Sequence, residues 1–171
     1  LTDGRISAGD LRRLKGLATG AIHPLVFLAE QKLNDLENPG QPLEMTELLN
    51  WLSQRCGQPV VEIDPLKVNV AAVAEVMSRA FAERHRILAV AVGEEEITIA
   101  SAEPYQRGWH QNIEHVSRKT IRRVLADPRD IVRFTGEFYT MAGSVRGANA
   151  TTQPTGSQIS NLEQMLELGS M

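Results

Sequence analysis

The chain has 171 residues, 42% of them hydrophobic and 23% charged, with 18 Lys and Arg against 21 Asp and Glu and a formal net charge of -3. That is the composition of a globular domain with enough chain for a real core, without the strongly basic surface that nucleic acid or an anionic membrane calls for. One cysteine, Cys56, excludes an internal disulfide and a thiolate zinc cage and fits a reducing compartment.

The longest purely apolar run, Ile87 to Val92, is far shorter than the roughly 20 residues that span a bilayer. No leader precedes Leu1, so Asn149-Ala150-Thr151 reads as an idle sequon, and a chain that opens on Leu1 is expected to belong to something longer.

Ser7-Ala8-Gly9-Asp10 reads as a capping box opening a first helix, with Leu11, Leu14, Leu17, Ala18 and Ala21 at helical spacing. His23-Pro24 restarts the chain, because proline suits a first helical position where its missing N–H has no partner. Leu25, Leu28, Ala29, Leu33 and Leu36 form the next stripe, stopped by Asn38-Pro39-Gly40. A third helix is expected from about Thr46 to Cys56, burying Met45, Leu48, Leu49 and Leu52, with Gly57 as a left-handed cap and Cys56 as a small apolar residue at its end.

The second part begins with an expected short strand, Val60 to Ile63, and a turn at Asp64-Pro65. One helix is then predicted from about Asn69 to Arg84, on the stripe Val73, Val76, Met77, Ala80 and Phe81. Ile87 to Val92 and Glu96 to Ser101, separated by Gly93 and a glutamate patch, have the form of a β-hairpin. Its first strand should be buried on both faces, whereas the second alternates Ile97 and Ile99 with Glu96 and Thr98. A weaker helix is expected from Glu103-Pro104 to about Arg118, burying Trp109, Ile113 and Val116, and a strand from Thr120 to Leu125. Asp127-Pro128-Arg129-Asp130 is a strong helix start, followed by Ile131, Phe134, Phe138 and Met141 or Ala142 at inward positions. Residues 143–158 are small and polar and read as a linker. Ile159, Leu162, Met165 and Leu166 then form an amphipathic stub too short to stand alone.

These elements predict a small α/β (α+β) protein. A mixed β-sheet with a central antiparallel hairpin is flanked by helices and preceded by a three-helix annex. The expected divisions are 1–58 for the annex, 59–142 for the α/β domain, 143–158 for the linker and 159–171 for the start of a further segment.

Reactive groups are sparse. His110 and His115 are five residues apart, about 140° around a helix axis, so both imidazoles cannot face one ion. His23 and His85 stand alone, and each reads as a cap or a surface residue rather than a catalyst. No Gly-x-x-x-x-Gly-Lys-Ser/Thr and no Gly-x-Gly-x-x-Gly occurs, so neither catalytic residue, cofactor site nor metal site is predicted in this chain. Glu94 to Glu96 read as a solvated turn. One basic run stands out: Arg118, Lys119, Arg122, Arg123, Arg129 and Arg133, opposed only by Asp127 and Asp130. The strand and helix order matches that of RNA-recognition modules, but the strands lack the aromatics on which such modules stack bases, which disfavours RNA. The run is therefore expected to be a partner-docking patch for an acidic partner, or else a solvated helix edge.

Several stretches, in order, resemble a known family. They are Leu48-Leu49-Asn50-Trp51-Leu52-Ser53-Gln54-Arg55-Cys56-Gly57-Gln58-Pro59-Val60-Val61-Glu62-Ile63-Asp64-Pro65, Arg84-His85-Arg86-Ile87-Leu88-Ala89-Val90, Thr98-Ile99-Ala100-Ser101-Ala102-Glu103-Pro104 and Ile121-Arg122-Arg123-Val124-Leu125-Ala126-Asp127-Pro128-Arg129-Asp130-Ile131. Together they resemble the N-terminal domain of the GspE-like ATPases of type II secretion and their PilB-like relatives in type IV pilus assembly. The resemblance covers roughly residues 24 to 142.

It implies a cytoplasmic docking domain, peripheral to the bacterial inner membrane through a GspL-like platform protein, with no membrane insertion and no nucleic acid. It also implies a homo-hexameric parent that uses ATP and Mg²⁺ through residues outside this chain. Some relatives bind cyclic di-GMP through repeated Arg-Leu-Gly motifs; here Gly40-Gln41-Pro42-Leu43-Glu44 and Arg12-Arg13-Leu14-Lys15-Gly16 depart from that pattern. Sensing cyclic di-GMP or RNA through the arginine run is therefore the alternative.

Overall fold

The computed structural model describes residues 4–17 and 20–152. Three helices come first: α1 (Ala8–Leu17), α2 (Pro24–Glu30) and α3 (Met45–Cys56). The Ser7 hydroxyl accepts from the Asp10 N–H at 3.0 Å, capping α1 as expected, but the Asp10 carboxylate accepts from that hydroxyl at 2.7 Å rather than from the Ser7 N–H, so only half of the expected capping box forms. Among the described residues of its stripe Leu14 alone is fully buried, and Leu17 is exposed. Gly57 caps α3 at φ 73°, a left-handed conformation that glycine adopts without a Cβ clash.

Helix α2 ends at Glu30, well short of Leu33 and Leu36 at the end of its predicted stripe. Lys32 takes φ 47°, and the chain folds into a tight loop closed by a bridge between Asn34 and Pro42. Leu33 stays buried, but Leu36 is exposed. The loop is organised by Asp35, whose buried carboxylate accepts from the Glu37 N–H at 3.0 Å and the Asn38 amide at 3.1 Å and lies 3.5 Å from the Arg5 guanidinium. Burial alone would raise the Asp35 pKa, but these hydrogen bonds and the Arg5 charge hold it below the usual carboxylate value.

The expected helix over residues 69–84 is two helices, α4 (Val70–Val76) and α5 (Arg79–His85). Met77 is extended between them and Ser78 caps the second by accepting from the Phe81 N–H at 3.2 Å. A distant residue holds the break: the Tyr139 hydroxyl donates to the Met77 carbonyl at 2.8 Å. The break turns Ala80 outward and buries Ala82 instead.

The sheet has three strands, β1 (Ile87–Val92), β2 (Glu96–Ser101) and β3 (Thr120–Leu125), in the order β1-β2-β3. β1 and β2 form the expected antiparallel hairpin, and β2 pairs parallel with β3 in unbroken register from Glu96–Thr120 to Ser101–Leu125. Gly93 closes the hairpin by donating to the Glu96 carbonyl at 2.8 Å; a Cβ there would stand 3.1 Å from that oxygen. β1 is buried on both faces only at Ile87, Leu88 and Ala89. A bulge between Ala89 and Ala91 then shifts the pairing and leaves Ala91 exposed.

The expected strand at Val60–Ile63 reduces to a bridge beside Leu125, with the Val61 N–H and the Pro59 carbonyl each bonded to that residue at 2.8 Å. Pro59 has no N–H to extend the ladder, and Asp64-Pro65 turns the chain away.

Helix α6 (His110–Ser117) is shorter than expected; it buries Ile113, with Trp109 at its cap, and leaves Val116 77% exposed. Helix α7 (Pro128–Thr152) is longer, running on through the first ten residues of the expected linker. Its Thr140 and Ser144 hydroxyls donate back to the carbonyls of Gly136 and Thr140 rather than breaking the helix. Residues 153–158 and the stub from Ile159 lie outside the described residues.

The buried side chains form one cluster reaching from Ile6 and Leu14 through Leu48 and Ile99 to Phe138, so annex and sheet share a core. Among the described residues no helix is long and apolar enough to cross a membrane.

The break between α4 and α5 yields a test. Tyr139→Phe removes one half-buried hydrogen bond and should lower stability by about 1 kcal/mol, read as a lower urea midpoint at unchanged slope. Burial pushes the Tyr139 phenol up to about 12, so wild-type stability should fall as pH rises from about 10 through that value, and the variant should lack this loss.

Candidate functional site

The first candidate is a groove at the seam between annex and sheet. Pro24 fixes the start of α2, and His23 before it caps the helix, its Nδ1 accepting from the Leu25 N–H at 3.2 Å. With Nδ1 an acceptor, the proton belongs on Nε2. Nε2 lies 3.0 Å from Glu103 Oε1, within ion-pair reach but not aligned for a hydrogen bond. Burial lowers the His23 pKa; the nearby Glu103 carboxylate opposes that shift and Arg86 reinforces it.

Across the groove, α7 begins on Asp127, whose carboxylate accepts from the Arg129 N–H at 2.9 Å and grips its guanidinium at 2.7 Å. Burial would raise the Asp127 pKa, but the Arg129 hydrogen bonds and charge outweigh it and hold the group below the usual carboxylate value. Val26, Ile131 and the exposed Val132 supply the apolar wall of this hollow of about 440 Å³.

The second groove, about 490 Å³, lies at the closed end of the hairpin. The last turns of α4 and α6 flank it, Ile97 lies at its base, and Val76, Val92 and Val116 line it. Glu75 and Glu94 stand on the rim, with the Lys119 ammonium donating to the Gly93 carbonyl at 2.7 Å.

The basic run does not pool into one surface. Lys119 lies at the hairpin groove and Arg129 at the seam. Arg133 sits on α7 over the Phe134 ring and pairs with Glu137 at 3.1 Å. Arg118 is the left-handed cap of α6, exposed like Arg122.

Arg123 is engaged internally: Nη2 donates to the carbonyls of Pro104 at 3.0 Å and Gln106 at 2.7 Å, and the guanidinium lies 4.9 Å from the Trp109 ring centre. It pins the loop after β2 and is not a ligand-facing group. Sequence spacing could not show this, because the carbonyls come from 17 to 19 residues earlier.

Neither groove is lined by a cysteine, and the one hydroxyl on the hairpin groove, Ser117, donates to the Ile113 carbonyl at 2.6 Å. His110 pairs with Glu114 at 3.1 Å, and among the described residues no group of three or more His, Cys, Asp or Glu is placed to hold a metal ion. The seam contact between His23 and Glu103 was not visible in the sequence, where His23 reads only as a cap and Glu103 only as a helix start.

Fold and grooves define a small helical and α/β domain that offers surfaces to other molecules. The chain belongs to the MshEN domain family, whose model matches residues 56–145, more than half of it. It is 34% identical over 175 residues to the type IV pilus assembly ATPase TfpB of Acinetobacter baylyi (strain ATCC 33305 / BD413 / ADP1). That match takes in 99% of this chain and 30% of TfpB, so the chain spans under a third of that relative's length. Its fold is similar to that of MshE solved with cdg, at a TM-score of 0.57, 18% identity, and coverage of 81% of this chain and 94% of that one. It is also similar to the N-terminal domain of XpsE, at 0.50, 14%, and coverage of 77% and 85%. The chain is thus an N-terminal domain of the type II secretion and type IV pilus assembly ATPase kind, as the resemblance implied.

Two outcomes follow from the site. Neutral His23 is favoured by the fold, so its contribution is full above the unfolded pKa of 6.5 and is lost as pH falls from there through the lowered folded value. Urea midpoints of wild type should drop across that window, and His23→Asn, which keeps a cap acceptor, should show a smaller drop. Arg123→Ala should cost about 2 kcal/mol in denaturant unfolding, as expected for charge-assisted bonds to carbonyls; a loss below about 0.5 kcal/mol would mean that the loop does not depend on it.

Proposed function

We propose that the chain is a protein-interaction domain that holds a type II secretion or type IV pilus assembly ATPase at the cytosolic face of the bacterial inner membrane. Its partner in this reading is the cytosolic domain of a GspL-like platform protein, to which it tethers the motor and passes conformational change. The parent is a Mg-dependent, homo-hexameric ATPase whose phosphate-binding loop lies outside this chain. Membership of the MshEN family carries the reading, and the 34% identity to a pilus assembly ATPase favours the pilus arm. The two grooves are compatible with it, since Val116 in one and Val132 in the other are left 77% and 70% exposed.

Co-purification of the full chain with the platform protein's cytosolic domain tests this. The expected result is a complex with micromolar or tighter affinity; no association with either the chain or the full motor contradicts it.

A second reading, binding of cyclic di-GMP, is favoured by MshE, whose structure holds cdg. Titration calorimetry separates the two. Micromolar binding of cyclic di-GMP supports the sensor, and the docking reading expects no such heat.

A further inference from the structure

The groove at the closed end of the hairpin has three features that point the same way. Its lining is mixed, with Val76, Val92, Ile97 and Val116 as the apolar part, and Val116 on α6 is 77% exposed although it belongs to the same helix that buries Ile113. Its rim is acidic. Glu75 and Glu94 line it, both are exposed, and neither makes an ion pair with a described residue. The one cation on the rim, Lys119, is turned onto the Gly93 carbonyl at 2.7 Å.

The third feature is the backbone. The last turns of α4 and α6 both line the groove, and the C-terminal end of a helix carries partial negative charge that favours a cation nearby. A groove between two helix ends, with valines along it and the Glu75 and Glu94 carboxylates on its rim, suits a segment with an apolar stripe and basic residues beside it. An acidic segment would meet like charges on the rim.

We infer that this groove docks a basic amphipathic helix of the partner, its apolar stripe on Val76, Val92 and Val116 and its lysines or arginines on Glu75 and Glu94. The identity of that partner rests on the docking reading above; the chemistry of the groove does not.

Fluorescence anisotropy with two labelled amphipathic peptides tests the inference on the full chain. One peptide is built of leucine and lysine and the other of leucine and glutamate at the same spacing. Wild type should bind the lysine peptide at least tenfold tighter than the glutamate peptide. Both Glu75→Lys/Glu94→Lys and Val116→Asp should weaken the lysine peptide about tenfold or more, as loss of a charged or apolar anchor does. All three positions are exposed, and unchanged thermal unfolding checks that the variants stay folded. No binding of the lysine peptide, or binding that ignores both variants, overturns the inference. The platform protein's cytosolic domain is the second arm. If the lysine peptide behaves as expected and that domain does not bind, the groove stands and the platform reading falls. If that domain binds wild type and both variants alike, the platform reading stands and the groove does not serve it.

Discussion

The structure depends on the double pairing of β2. It is antiparallel to β1 on one edge and parallel to β3 on the other, and from Ile97 to Ser101 only Thr98 keeps more than slight exposure. A parallel neighbour cannot be reached by a tight turn, so the chain must cross over between Ser101 and Thr120, and α6 lies in that crossover. Three strands bury little on their own. α4, α5 and α7 therefore supply the cover, with Phe138 and Val73 almost wholly enclosed against the sheet. The same demand explains why Arg123 is bound to loop carbonyls, since the turn leaving β2 must be held for β3 to come alongside.

Much of this was legible because local chemistry and tertiary structure agree. Ser7 with Asp10, Pro24, Gly57 and Asp127-Pro128 each mark a helix end, and each marks it in the fold. The hairpin and β3 follow from branched apolar runs with a glycine between them. What was not legible depends on contacts across the chain. The stripe from Val73 to Phe81 continues through a break that exists because Tyr139 reaches Met77 from 62 residues away. Small, polar residues after Ala142 look like a linker by composition, yet α7 continues through them because its core-facing residues already fix its course. At the site, the basic run is contiguous in sequence and dispersed in space, and the two grooves are made by residues that no spacing relates.

Function follows from how the surface is divided. Several charged side chains pair with one another: Arg129 with Asp127, Arg133 with Glu137, and Arg5 with Asp35 and Glu37. What remains for other molecules is apolar area with carboxylates beside it at the hairpin end, and a seam where annex meets sheet. Such a surface is compatible with the docking role proposed for this MshEN domain.

The central physical claim is that annex and sheet form one body, so that the seam is permanent and force applied to one part reaches the other. Native-state hydrogen exchange of the full chain tests it directly. The account predicts that the slowest amides of α3, around Leu48 to Leu52, and of β2, around Ile97 to Ser101, exchange with the same opening free energy and the same denaturant dependence. If those of α3 open at a free energy several kcal/mol lower while β2 stays protected, the two parts move independently and the account is wrong.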